Sequence, residues 1–439
     1  MTRLPDYKKK SHHGLQKKPR KTVKKSVAKK EKPMEQDIPM TPHEPDRSQP
    51  VKKKHTVRVV KGKKLERQRR FRVVLSSLAL LVAVGVVLSF LVPVSIGESI
   101  TNLLMPIGAG KYPIELYGTQ ALNAVGKDFY YYVLTDSDLT ALSDGGKKIY
   151  SVSHGFANPV LKTSTTRALV FDQGGNGYSI YNLKERVVEK TTKETIRTAT
   201  ISRSGNYAIV TDSDSYTAVV RVYNKKNKLL FEWRSAADMV NNVVLSASGK
   251  RLAVSTVNGT NGQLNGKVMI FKFDEKQPVF TADYVDQPVL ALETFGSRYL
   301  GVFTEHTYTR VHWNKLTKTE RTDENPLAMV RVGQGGVLVY QRSSDHSDNR
   351  IVYLSGSGEV KNEFSYKGVI GDISVGQGHI YCIGENAVRV FDKKGTLLKS
   401  ADCPFGGERF VSISSNAIAF ITNSEIVKIE LDRVEERGS

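Results

Sequence analysis

Apolar and polar positions fall into three patterns along this 439-residue chain. From Pro113 onward, apolar residues alternate or cluster in short runs rich in Val, Ile, Tyr, Phe and Thr, separated by Gly, Asn, Asp and Ser. A two-residue period broken by turn formers specifies strands. No stretch of this region keeps a 3.6-residue period, so helices are not expected. Upstream lies one continuous apolar run, Val73 to Val94, reading VVLSSLALLVAVGVVLSFLVPV, with no charged residue, Asn, Gln or His. At about 1.5 Å per helical residue such a run crosses a hydrocarbon core of roughly 30 Å. The first 72 residues are poor in aliphatics and rich in Lys, Pro, Ser and Gln, a composition that builds no core.

The strand region repeats. Its clearest copies are ATISRSGNYAIVTDSDSYTAVVRVYNKKNKLLFEW (Ala199 to Trp233) and VVLSASGKRLAVSTVNGTNGQLNGKVMIFKFDEKQPVFT (Val243 to Thr281). Each places Ser-Gly in the first turn, then an apolar strand, a loop, an R/K-V-x-x-aromatic strand and a charged turn. The turns YNKKNKLL, FDEKQPVF, WNKLTKTE and FDKKGTLL occupy matching places as hairpins between third and fourth strands. First strands are expected near Ala121, Val160, Arg197, Asn242, Val289, Ala328, Gly371 and Phe410. Four strands per roughly 40 residues is the spacing of propeller blades. The last unit has room for three strands, and YPIELY (Tyr112 to Tyr117) reads as a stray strand that completes an eighth blade from the opposite end of the chain. Seven blades is the alternative. The expected fold is thus an all-β propeller of four-stranded blades behind one N-terminal transmembrane helix.

On these turns and spacings the region Tyr112 to Leu431 resembles the WD40-like and quinoprotein-like β-propellers, although the Trp-Asp and Gly-His signatures of WD40 repeats are missing. The order of basic tail, apolar run and propeller resembles that of uncharacterised single-pass membrane-anchored propeller proteins of Gram-positive bacteria. The first resemblance implies a fold and the second a location; neither implies an activity.

Charge fixes the orientation expected of the run. Residues 1–72 hold 25 Lys/Arg and 7 Asp/Glu, whereas the rest of the chain carries a surplus of only three cations. KGKKLERQRRFR (Lys61 to Arg72) abuts the apolar run, and no base follows it before Lys111. Positive flanks stay cytoplasmic. The expected organisation is a disordered basic cytoplasmic tail (1–72), a transmembrane signal-anchor (73–94), a linker (95–111), an extracytoplasmic propeller (112–432) and a short C-terminal tail (433–439). The n-region is too long for a cleaved signal peptide. The tail is expected to touch anionic lipid headgroups, and no specific nucleic-acid partner is expected because the basic surplus is not on the fold.

Candidate chemistry is sparse. Propeller ligands bind on the face formed by the second-to-third strand loops and the connections between blades. Those loops hold Asp136 and Asp138, Asp212 and Asp214, and Asp345 and Asp348. The D-x-D pairs offer hard oxygen ligands, but the full calcium-loop pattern is absent, and Asp is common in turns for local reasons. Any metal is therefore left unknown, with plain turns preferred. His154, His306, His312, His346 and His379 are scattered without metal spacing. Trp233 and Trp313 lack the repeated context of a quinone-docking motif and read as blade-packing residues; no cofactor is expected. G-x-S-x-G is absent, and Ser355 sits in a hairpin turn. Cys382 and Cys403 fall about two strands apart, too far for a disulfide. The function expected is a non-enzymatic binding or scaffolding module for a protein or cell-wall polymer. The alternative is a surface glycan or peptide hydrolase or lyase.

Overall fold

The computed structural model describes residues 108–434 except 119, 128, 385 and 404–408. The run Val73–Val94 and the basic tail lie outside the described residues. Among the described residues no helix is long and apolar enough to cross a membrane.

Eight antiparallel sheets follow one another along the chain, seven of four strands and one of five. We number them blades 1 to 8. Blades 1 to 7 begin with first strands Ala121–Gly126, Pro159–Thr163, Ile196–Ile201, Met239–Leu245, Ala291–Phe295, Leu327–Val332 and Asp372–Gly376. Blade 8 begins with Arg409–Ser414. Every start falls within three residues of its sequence expectation. The eighth blade is closed as the sequence suggests: Ile114–Glu115 joins as its outermost strand, with Ile114 opposite Ile426 and Glu115 opposite Glu425. This closure satisfies an edge that three strands would leave open. Blade 7 carries one strand more than expected. Asp432–Arg433 adds to its outer edge beside Lys399 and Ser400, so pairing runs one residue into the predicted tail.

The Ser-Gly turns form because glycine takes the left-handed backbone that closes them: Gly205 at φ 85° and Gly249 at φ 66°. The charged hairpins at 224–228, 273–279, 313–317 and 392–396 join third to fourth strands, as expected.

The core is eight apolar clusters, one in each seam between neighbouring blades. Blades 3 and 4, for instance, enclose Val210, Val220, Val254 and Phe271. Blades 8 and 1 close on Tyr131, Val133, Ala419 and Ile426. Both tryptophans pack blades as expected: Trp313 is 2% exposed between blades 4 and 5, and half-buried Trp233 lies against Phe271. Cys382 and Cys403 are free and buried. Burial pushes the Cys382 thiol up to about 12, so it is a packing group and not a nucleophile.

Each blade has two kinds of end. Connections from first to second and from third to fourth strands emerge on one face, here the turn face. Second-to-third connections and the links between blades emerge on the other, the hairpin face.

Candidate functional site

The hairpin face takes its name from blade 4. Its second and third strands, Arg251–Thr260 and Gln263–Lys272, each run ten residues, against five to seven in the corresponding strands of the other blades. The flanking strands stop near Val257 and Gly266, so the pairs Asn258–Asn265, Gly259–Leu264 and Thr260–Gln263 stand clear of the blade. At about 3.3 Å per residue this finger rises roughly 10 Å. It ends in Asn261-Gly262, both with positive φ (53° and 78°), the two-residue turn that matches the twist of paired strands. The sequence reading took this segment for a loop; the Asn-Gly between alternating residues was the signal available.

Large apolar side chains are exposed on the finger and on the segments beside it. Leu264 is 55% exposed, Val285 68%, Met239 52% and Leu290 49%. The side chain of Asn241 donates to the Val289 carbonyl at 2.7 Å, which holds the 285–290 link against the start of blade 4. Between finger and link runs a groove of about 340 Å³ lined by Asn258, Gln263, Asn265, Tyr284 and Val285. Asp238 anchors the finger by accepting from Asn258 Nδ2 at 3.0 Å.

All six sequence-predicted aspartates lie on this face, but on three blades. Asp136 accepts the Gln120 N–H at 3.4 Å, and Asp138 accepts the Ser137 hydroxyl at 2.8 Å. Asp212 is ion-paired with Arg197, while Asp214 is exposed on the same loop. Asp345 accepts from both the Ser343 and Ser347 hydroxyls and from the Ser347 N–H, which hold its carboxyl down at about 2. Asp348 pairs with Lys367 at 2.7 Å. These are turn-stabilising aspartates, and among the described residues no three His, Cys, Asp or Glu converge as metal ligands. His154 is buried, with Nε2 at 3.2 Å from the Thr135 carbonyl and Nδ1 accepting the Phe156 N–H.

The sequence reading missed the central channel. It is lined by the first strands, and it is charged. Arg331 of blade 6 reaches Asp372 of blade 7 through Nε at 3.1 Å and a second guanidinium nitrogen at 3.0 Å. Arg409 of blade 8 donates to the Ala121 carbonyl of blade 1 at 2.7 Å. Glu293 of blade 5 is acted on by Arg331 and by Lys162 of blade 2, and only the channel separates blades 2 and 5. Burial pushes the Glu293 carboxyl up, against these two cations. Asp372 is raised by burial as well, against Arg331 and the Ile373 N–H. The available signal was a charged residue within an otherwise apolar first strand. In blades 1, 3, 4 and 6 the register shifts near the start of that strand, at Leu122, Arg197, Asn241 and Ala328. Bulges there turn side chains at the channel mouth.

A family of unknown function, DUF5711, matches residues 126–431. The chain belongs to that family. No curated protein matches. Among solved structures, DUF5711 as seen in this chain is similar to the C-terminal WD40 domain of Sif2, with 12% identity over 74% of this chain and 99% of that one, at a TM-score of 0.50. BamB from Moraxella catarrhalis is 10% identical over 75% of this chain and 98% of its own, at a TM-score of 0.48. Hydrazine synthase from Kuenenia stuttgartiensis is 11% identical over 73% and 98%, at 0.42. At 12% identity the likeness to the Sif2 domain shows the propeller fold alone.

Proposed function

We propose that this DUF5711 protein is a membrane-anchored binding module whose extracytoplasmic propeller holds a protein or cell-wall ligand on its hairpin face. The observation that carries this reading is the finger of blade 4, with Leu264 exposed on it and Val285, Met239 and Leu290 exposed on the segments beside it. Large apolar side chains gathered on one face, around an element that pairs only with itself, mark an interaction site. Val73–Val94 and the basic residues before it supply the anchor and set the propeller outside. In this reading the ligand touches the groove and these apolar side chains.

The test is retention of cell-wall material and membrane extract by the full chain, compared with Leu264→Asp. Loss of a specific partner in the variant, with thermal unfolding unchanged, supports the reading. Equal retention by both proteins removes the finger from it.

A hydrolase or lyase reading has one observation in its favour: Glu293 and Asp372 are both raised carboxylates in the channel. Paired, unequal carboxyls serve acid and base roles in such enzymes. Here, however, Asp372 is engaged by the Arg331 guanidinium, which leaves it no free face toward a substrate. Turnover that Glu293→Gln abolishes would favour this alternative.

A further inference from the structure

We propose that the turn face of the propeller docks on anionic lipid headgroups, so that the disc lies with its turns against the bilayer and its hairpin face outward. The first support is charge. The nearly neutral propeller is strongly polar from face to face. Among the described residues, the connections of the turn face hold fourteen Lys/Arg and six Asp/Glu, whereas those of the hairpin face hold two and ten. Six of these turn-face cations are also available. Arg203, Lys226, Lys228, Lys250, Lys276 and Lys394 are exposed, and none forms an ion pair among the described residues. Several of the acids there are occupied: Asp274 pairs with Lys272, Glu359 with Lys361, and Asp392 accepts backbone N–H groups of its own turn.

The second support is where the chain joins the disc. Gly110 donates to the Gly145 carbonyl at 2.8 Å, and Ala109 bridges to Gly146, both in a third-to-fourth strand turn. The Tyr112 hydroxyl donates to the Asp144 carbonyl of that turn. From there the chain rises through Ile114–Glu115 to the hairpin face, where Leu116 bonds Ser424. Residues 108–112 are therefore fastened to the turn face. Thirteen residues, 95–107, separate them from Val94, a covalent reach of at most about 45 Å. A short tether fixed to a basic face brings that face to an anionic surface, and the acidic hairpin face is repelled by it. The proposal uses the anchor of the reading above and is independent of the ligand.

The experiment uses the full chain with one exposed thiol on either face, Gln277→Cys or Ser344→Cys; the native cysteines are buried. Each carries a fluorophore, and the vesicles contain phosphatidylglycerol, phosphatidylcholine and a nitroxide-headgroup lipid as quencher. Quenching at 277 should exceed that at 344 several-fold. The difference should disappear in pure phosphatidylcholine, and in about 1 M salt, where the screening length is about 3 Å. Each cation at an anionic surface contributes about fivefold in affinity. Lys226→Glu with Lys228→Glu should therefore weaken the contact by more than tenfold while leaving the basic tail and the thermal unfolding unchanged. Equal or greater quenching at 344 overturns the proposal, as does quenching at 277 that ignores lipid charge. A turn face that binds soluble polyphosphate but comes no nearer the lipid also overturns it, in favour of a polyanionic polymer. Washing in high salt tests the anchor separately: a chain released by salt has no inserted segment, yet the contrast between the two labels at low salt still reports which face touches lipid.

Discussion

The two faces of the disc are built from the same repeat and have opposite chemistry. On the turn face the connections are short, glycine-closed and cationic. On the hairpin face they are acidic, and one of them has grown into a finger with exposed apolar groups on it and beside it. The strands between them are interchangeable in kind, each blade burying alternate residues against its neighbours. The fold therefore constrains the strands, while the ends of the blades are free to diverge. Both faces also contain residues that serve the fold alone, and separating these from the available ones is the way to test the contrast.

The largest effect is expected at Trp313, which belongs to a connection of the turn face but is 2% exposed in the seam between blades 4 and 5. Trp313→Ala should cost about 3–5 kcal/mol in chemical denaturation, as large-to-small changes in cores do. A loss within 1 kcal/mol would mean that this connection is surface and not core. On the hairpin face the structural counterpart is Asp323, whose side chain is 1% exposed and ion-paired with Arg350. Asp323→Ala leaves a partly buried guanidinium unpaired and should cost about 3 kcal/mol. If unfolding were unchanged, Asp323 would count among the available acids of that face. Leu264→Asp, on the finger, should shift stability by no more than about 0.5 kcal/mol while abolishing ligand retention. A large loss of stability would make the finger part of the fold.

The smallest effect concerns the channel. Because burial raises the Glu293 carboxyl in the folded state, its ionised form costs stability at neutral pH. The cost is absent below the ordinary carboxylate range, where the group is protonated in both states, and grows as pH rises through and above it. Glu293→Gln should therefore raise the melting temperature slightly at pH 7 and leave it unchanged at about pH 3, below the ordinary carboxylate range. The opposite pattern would show that Lys162 and Arg331 outweigh burial.

Much of the fold was legible in the chain, because the signals that specify it are local. Ser204-Gly205 and Ser248-Gly249 mark first turns by backbone conformation, and NKKNK and DKKG mark hairpins by composition. Even the closure by Tyr112–Tyr117 followed from counting strands. The candidate site was less legible because its contacts are not local. Arg331 meets Asp372 across a seam, and Lys162 acts on Glu293 across the channel, so neither pair leaves a spacing to find. The six loop aspartates lie on the hairpin face, but their type says little. Asp345 is consumed by its own turn and Asp348 by Lys367. The finger fell between these cases: Asn261-Gly262 announced a hairpin, but nothing in the sequence said how far it stands above its neighbours.

The closure of blade 8 also sets a timetable. Ile114 is among the first propeller residues to be synthesised, and its partner Ile426 is among the last. Until Ile426 arrives, a growing chain can stack blades but cannot seal the ring, and the seam enclosing Tyr131 and Ala419 stays open to water. Pairing across such a sequence distance is slow and leaves edges exposed meanwhile. A waiting strand of only two residues, Ile114–Glu115, offers little template for a wrong partner during that interval.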